Sequence, residues 1–423
     1  MVANGLTAAP CLRQNTEMTE RFTGSFTQQE PIPEEAIAAA VEVMRGGRLH
    51  RYNTLAGETA ETALLEQEFA ALSGARFCVA VASGGYALGC ALRAVGVQPG
   101  ETVLTNAFTL APVPGAIAGI GAVPVFVGVT EDLVIDLDDL AAKANSAVGA
   151  KILMLSHMRG HLCDMDRLMQ ICDDAGITVI EDCAHTMGAA WNGVPSGRQG
   201  AVGCYSMQTY KHVNSGEGGL LITDDEDIAA RAIMLSGSYM LYDRHLAAPA
   251  PEVFERVKYI TPNISGRMDN LRAAILRPQL RALDAQVDRW NDRYAVVEQG
   301  LRGTPGLRLT ERPEAERFVG SSIQFLLLDW TRDAVQEVLA RCAARGVELK
   351  WFGGAEPAGF TSRYDSWRYA PSQPMPSSDR VLRGIVDMRL PLTFSLEDCA
   401  LIARIIRAEV SAVFQATPPV QAG

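Results

Sequence analysis

The chain is 423 residues long, 48% hydrophobic and 21% charged, with a formal net charge of −11. That composition suits a folded protein with one large and one smaller core, and the acidic balance argues against a general nucleic-acid binder, which carries a basic face. The nine cysteines form no C-x-x-C pair and the six histidines do not cluster with them at zinc spacings. No metal site is therefore expected, and the thiols read as the reduced cysteines of a cytoplasmic protein.

Residues 1–30 are mixed and polar, without periodicity, and read as a loose arm. No basic start precedes an apolar run there, so no signal peptide is expected. "IPEEAIAAAVEVMRGG" opens with Pro and acids and closes in Gly-Gly, the pattern of a capped helix, and "AETALLEQEFAALSG" is a second helix closed by glycine. Short apolar runs then alternate with helical stretches. Strands are expected at "RFCVAVAS", "ETVLTN", "VPVFVGV", "KILMLSH", "ITVIEDC", "VGCYSMQ" and "GGLLITDD". Helices are expected at "GYALGCALRAVG", "APVPGAIAGIG", "MDRLMQICDDAG" and "EDIAARAIMLSG". The alternation predicts an α/β fold, with a mostly parallel sheet buried on both faces across residues 31–270. The longest apolar runs are too short, and too broken by Gly and Pro, to span a membrane.

The stretch 268–303 reads as one long helical segment joining this domain to a smaller C-terminal α+β domain, with 271–423 covering both linker and domain. In that smaller domain "SSIQFLLLDW", "TRDAVQEVLARCAARG" and "VELKWFGG" read as strand, helix and strand. A last helix, "SLEDCALIARIIRAEVSAVF", begins with a serine and an acidic turn.

Ligands of open parallel sheets bind beyond the carboxyl ends of the strands, so the residues after each strand carry the chemistry. Ser83-Gly84-Gly85 stand before a helix, where free backbone N–H groups form either an anion cup or simply a tight glycine turn. Phe108 follows the next strand, as a stacking plate or as core. Glu181 and Asp182 end a buried strand. A carboxylate there needs a cationic or donor partner, or serves as a helix cap, and His185 lies three residues on. Lys211 follows another strand and precedes Gly216-Glu217-Gly218-Gly219, with Ser206 five residues before it. It is a surface charge, a phosphate ligand or a covalent catalyst; the P-loop order is absent, because the glycines follow the lysine. An anion cup, an aromatic plate, an aspartate and a lysine on four strand ends together match the needs of pyridoxal phosphate.

These segments resemble the DegT/DnrJ/EryC1/StrS family of PLP-dependent sugar aminotransferases, of the fold-type I class, over about residues 32–412. The carriers are Ser206-x-x-x-x-Lys211 with its glycines, "EDCAH" at 181–185, "HMRGHLCDMDRLMQIC", "VASGGYALGCAL", "GRMDNLRAAI" and "MRLPLTFSLED". The resemblance implies an enzyme that moves an amino group from glutamate or glutamine to a keto sugar or cyclitol ketone, through pyridoxamine phosphate, in secondary (antibiotic) metabolism. It implies that Lys211 is the Schiff-base lysine, Asp182 the partner of the pyridine nitrogen and His185 a neighbour of the ring. Phe108 would stack on the ring, and Gly84, Gly85 and Ser206 would hold the phosphate. It also implies a homodimer in which Asn263 or Ser265 reaches the partner's phosphate. Gly85 stands where the family has threonine, and Met207, Gln208 and Tyr210 are unusual neighbours of the lysine. Family members that dehydrate instead carry histidine at the lysine position; here His212 is one residue beyond it. A non-catalytic PLP-binding regulator is the remaining alternative.

Overall fold

The computed structural model describes residues 20–146 and 149–416. Seven strands form the central sheet: β1 (Phe77–Val81), β2 (Thr102–Asn106), β3 (Val123–Val127), β4 (Ile152–Ser156), β5 (Thr178–Asp182), β6 (Val202–Ser206) and β7 (Gly219–Thr223). Their order across the sheet is β1-β7-β6-β5-β4-β2-β3. All pairings are parallel except those of β7, which runs antiparallel to both β6 and β1. The strands are nearly continuous Val, Ile, Leu and Cys because helices cover both faces. On one side stand α3 (Gly84–Ala94), α4 (Pro112–Gly119), α7 (Glu226–Ser236) and α8 (Pro251–Val257). On the other stand α2 (Glu61–Ser73), α5 (Leu137–Ala144), α6 (Met165–Ala175) and α9 (Asn270–Arg281). The amino-terminal helix α1 (Glu34–Gly46) lies against α9.

The stretch 268–303 is two helices rather than one. After α9, α10 (Leu283–Leu301) follows at once, with Ala282 capping the end of one and the start of the other. Pro278 inside α9 has no N–H to give the carbonyl one turn back, and the helix ends three residues later. The first half of α10 packs into the large domain through Leu283, Val287 and Trp290; its second half packs into the small one through Tyr294, Val297 and Leu301. The change of core thus falls within α10, beyond the expected boundary at 270.

The small domain is an antiparallel sheet of β8 (Arg308–Leu309), β9 (Ser322–Leu326), β10 (Lys350–Trp351) and β11 (Ile385–Arg389), in the order β8-β9-β11-β10. It is backed by α10, α11 (Arg332–Ala344) and the last helix, α13 (Leu396–Ala416); α12 (Pro376–Gly384) leads into β11. The supposed loose arm needs correction where it is described. Phe22 and Phe26 are buried, each edge-on to Phe394 and to one another. Two aromatic rings in an otherwise polar stretch give it apolar area to bury, and it closes the small-domain core. Residues 1–19 lie outside the described residues.

Candidate active site

The carboxyl ends of β1, β2, β4, β5 and β6 meet at one edge, where a cavity of about 490 Å³ opens between the two domains. Ser83 caps α3, its hydroxyl accepting from the Tyr86 N–H at 3.1 Å. Gly84 must be small: a Cβ there would stand 2.7 Å from the Ser206 Cβ. Gly219 is constrained in the same way, since a Cβ there would meet the Ser83 carbonyl oxygen at 2.4 Å. Gly85 differs; a Cβ there would find its nearest neighbour at 3.9 Å. The result is an anion-sized recess under a helix N-terminus, with Ser83, Gly84, Gly85 and Ser206 on the cavity wall.

Lys211 sits in a loop folded back on itself. The Met207 N–H donates to the Gly218 carbonyl at 2.8 Å, and the Lys211 N–H to the Gln208 carbonyl at 2.8 Å. The Lys211 Nζ lies 3.2 Å from His185 Nε2. Burial pulls the amine from its ordinary 10.5 down to about 7; Arg159 and Arg389 push the same way and Asp182 opposes them. An amine that ionises near neutrality keeps a large fraction of its free nucleophilic form. Burial, reinforced by Lys211, also holds the His185 imidazole well below its usual range, so that ring is neutral.

β5 ends in two carboxylates with opposite duties, because successive strand residues face opposite sides. Glu181 is fully buried; it bonds His157 Nε2 at 2.9 Å and accepts from the N–H groups of Gly197, Gln199 and Gly200. That side chain fixes a loop. Asp182 faces the cavity, accepting from the Ser156 hydroxyl at 3.2 Å and the Ala184 N–H at 3.1 Å. Burial raises its pKa, and no side-chain cation hydrogen-bonds it among the described residues. A buried carboxylate with free acceptor capacity beside a cavity is the receptor for a cationic N–H.

Phe108 requires correction. Its ring is 1% exposed and packs edge-on to Phe352 at 5.3 Å, in a core cluster under the small domain. Leu110, two residues later, lines the cavity instead. β2 has ended at Asn106 by then, so strand alternation no longer decides which side chain turns inward. Asn263 and Ser265 lie on an exposed loop, outside the wall of this chain's own cavity. His212 is turned away from the cavity; its Nε2 pairs with the Ser321 hydroxyl at 2.9 Å and its ring packs on Trp290. From the segments 236–262 and 352–378, only Phe360 reaches the wall. Gln29, from the supposed arm, reaches it too.

Two cationic cavity residues, Arg159 and Arg389, also escaped sequence reasoning. Arg159 is 5% exposed, with φ of 57°, and donates from Nη2 to Asp387 at 2.7 Å. Arg389 ends β11, its guanidinium 3.7 Å over the Tyr210 ring. The rule that found Asp182, a polar residue just beyond an apolar strand, applies equally to Arg389 after "IVDM".

Known structures with this architecture include the 3-amino-5-hydroxybenzoic acid synthase, which superposes with a TM-score of 0.78 over 93% of this chain and 99% of that one, at 24% identity. The chain thus shares the fold of that protein, a large sheet domain joined to a small α+β domain. The chain belongs to the DegT/DnrJ/EryC1/StrS aminotransferase family, whose profile matches residues 31–407. It is 33% identical over 283 residues to L-glutamine:2-deoxy-scyllo-inosose aminotransferase of Streptomyces fradiae, covering 66% of this chain and 65% of the relative. It is 32% identical over 242 residues to 3-amino-5-hydroxybenzoate synthase of Amycolatopsis mediterranei, covering 57% and 60%. The matched segments thus span less than two thirds of these relatives' lengths.

Proposed function

We propose that the chain is a pyridoxal-phosphate-dependent aminotransferase moving an amino group from glutamine or glutamate to the ketone of a cyclitol or nucleotide-linked sugar. The carrying observation is that Lys211, ionising near neutrality, and Asp182, buried with free acceptor capacity, face one cavity that also holds an anion recess. The residues fit the cofactor. Ser83, Gly84, Gly85 and Ser206 would take its phosphate, and Asp182 would keep its ring nitrogen protonated. His185 would lie beside the ring and Leu110 against it. When bound, the cofactor supplies an electron sink for the carbon that loses its proton. Lys211 would supply the free amine that holds the cofactor and would move the proton between donor and acceptor carbons. The neutral His185 accepts or donates a hydrogen bond at Nε2 without adding a competing charge. His212 favours transfer over dehydration, since it is held by Ser321 and Trp290 rather than facing the cavity.

The glutamine donor and cyclitol acceptor rest on the relative named for them. We further infer a cytoplasmic homodimer. Eight described cysteines are unpaired and buried, as suits a reducing compartment. Tyr259 and Ile260, 82% and 74% exposed beside Asn263 and Ser265, offer apolar area for a second subunit. There Asn263 or Ser265 would reach the neighbour's phosphate. The test is a half-reaction. Purified protein carries a visible absorption band, glutamine bleaches it, and a keto-cyclitol or keto-sugar restores it. A protein with no band, or a band that no amino acid bleaches, refutes the proposal.

A further inference from the structure

His212, which the catalytic site leaves out, opens onto a second space. A smaller cavity of about 110 Å³ lies behind Lys211, between the amino-terminal segment 29–33 and the junction of α9 with α10. Lys211, Gln29 and Trp290 line both cavities and so form the partition between them. The rear cavity meets solvent beneath Pro31 and Pro33, which are exposed. Its roof is pinned in place. Glu30 is held to Arg289 by two hydrogen bonds, of 2.6 and 2.9 Å, and the same segment is anchored in the small domain by Phe26 against Phe394.

The lining is chemically unlike a packed core. His212 Nε2 is taken by the Ser321 hydroxyl, but Nδ1 has no hydrogen-bond partner among the described residues. Burial, reinforced by Lys211, brings the ring down to about 3, so it is neutral and has one nitrogen to give and one to accept a hydrogen bond. The Asn214 side-chain amide also has no partner among the described residues; only its backbone is engaged, by Gln279 at 3.1 and 2.8 Å. Gln286 gives its carbonyl oxygen to Arg289 and leaves Nε2 unpaired. Polar groups left over at a cavity wall are stable when water completes them. The space exceeds several times over the roughly 10–15 Å³ that one water needs, and these side chains supply the polar contacts that hold it.

Position gives that water a use. The amine that moves a proton between two carbons changes charge inside a buried site, and a donor or acceptor in the front cavity stands between it and the solvent there. We propose that the rear cavity is a water-filled passage through which the Lys211 amine exchanges protons with solvent while the front cavity is occupied. This rests on the aminotransferase reading and adds the lysine's route to solvent. The steps balance. The donor's C–H bond breaks and an N–H bond forms at Lys211 Nζ. The ammonium gives one proton to the passage water and takes one back, with no change of charge. An N–H bond then breaks as the receiving carbon gains its C–H. Part of the donor's hydrogen is thereby lost to solvent.

Two variants test this. Ala282→Leu puts a branched side chain into the passage at a residue with helical backbone, which leucine adopts. Gln286→Met keeps the bulk and removes the amide. Hydroxyl-radical footprinting of the resting protein needs no turnover, because water held beside a buried side chain oxidises it. His212, only 9% exposed, should be oxidised in wild type and about half as much or less in both variants, as water leaves the cavity. A His212 protected in wild type means a dry cavity and overturns the proposal. The second readout is turnover of α-deuterated glutamine with a keto-cyclitol in ordinary water. Deuterium retained in the aminated product should rise about twofold or more in both variants, as exchange at the amine slows. A variant that merely damages the site slows transfer, gives exchange more time and lowers retention. Retention unchanged or lowered in both variants, while they protect His212, therefore overturns the proposal. A wild type with no visible band, or one that glutamine does not bleach, would instead sink the aminotransferase reading, and this proposal with it.

Discussion

Lys211→Met should stabilise the cofactor-free protein, and the gain should depend on pH in a way that a surface lysine could not produce. The amine ionises at about 7 in the folded chain against an ordinary 10.5, a difference of about 5 kcal/mol in full, and less because the half-buried side chain faces a cavity that admits water. The sign follows from proton counting. Below pH 7 the lysine is charged in both states, and the folded state bears the whole cost. Between 7 and 10.5 the unfolded chain holds a proton that the folded chain has released, so wild-type stability rises with pH through this window. Above 10.5 the cost is gone. Methionine bears none of it at any pH. The variant's advantage should therefore be largest at pH 6 and shrink by up to about 3 kcal/mol by pH 9.5, at about 1.36 kcal/mol per pH unit above 7. Urea unfolding of both cofactor-free proteins at pH 6, 7, 8, 9 and 9.5 measures the difference, in which titrating groups that do not interact with Lys211 cancel. A difference constant to within about 0.5 kcal/mol across that range would show that Lys211 is not held near neutrality, and its readiness as a nucleophile would fall with it.

Asp182→Asn should fold and bind the cofactor yet lose about two orders of magnitude or more in turnover, because the ring nitrogen loses the charge that keeps it protonated; steady-state rates check this, and a full-rate variant refutes the role. Gly84→Ala should weaken cofactor affinity through the 2.7 Å clash with Ser206, at a cost of about 1–3 kcal/mol. Gly85→Thr should fit the open space and tighten cofactor binding by about 1 kcal/mol through one added hydroxyl, both read by titrating cofactor into the stripped protein. Phe108→Leu should lower stability by about 1 kcal/mol or more, since it loses the edge-on contact with Phe352, and leave the absorption band unmoved. Leu110→Ala should shift or weaken that band; the reverse outcome would return the stacking role to Phe108.

The α/β architecture was legible because seven buried strands each appear as a short apolar run between helices with glycine or acidic ends. The same strand-end logic led to Asp182, Ser206 and Lys211, which share one cavity wall. It went astray at Phe108, since the rule says where a strand stops and not how the chain turns afterwards. Arg159 escaped for a related reason, since it owes its direction to its own left-handed backbone; Arg389 carried the same strand-end signal as Asp182, but on a strand of the small domain, where the rule was not applied. Met207, Gln208 and Tyr210, puzzling as neighbours of a catalytic lysine, separate cleanly in space. Met207 is core, Gln208 closes the turn, accepting from the Lys211 N–H, and Tyr210 carries Arg389.

The central claim is that Lys211 anchors the cofactor covalently. Reduction of the purified, yellow protein with borohydride, followed by digestion and mass spectrometry, tests it most directly. One reduced cofactor should be fixed to the peptide bearing Lys211 and to no other, and Lys211→Ala should carry none. A cofactor fixed to a different lysine, or fully dialysable after reduction, would contradict the account.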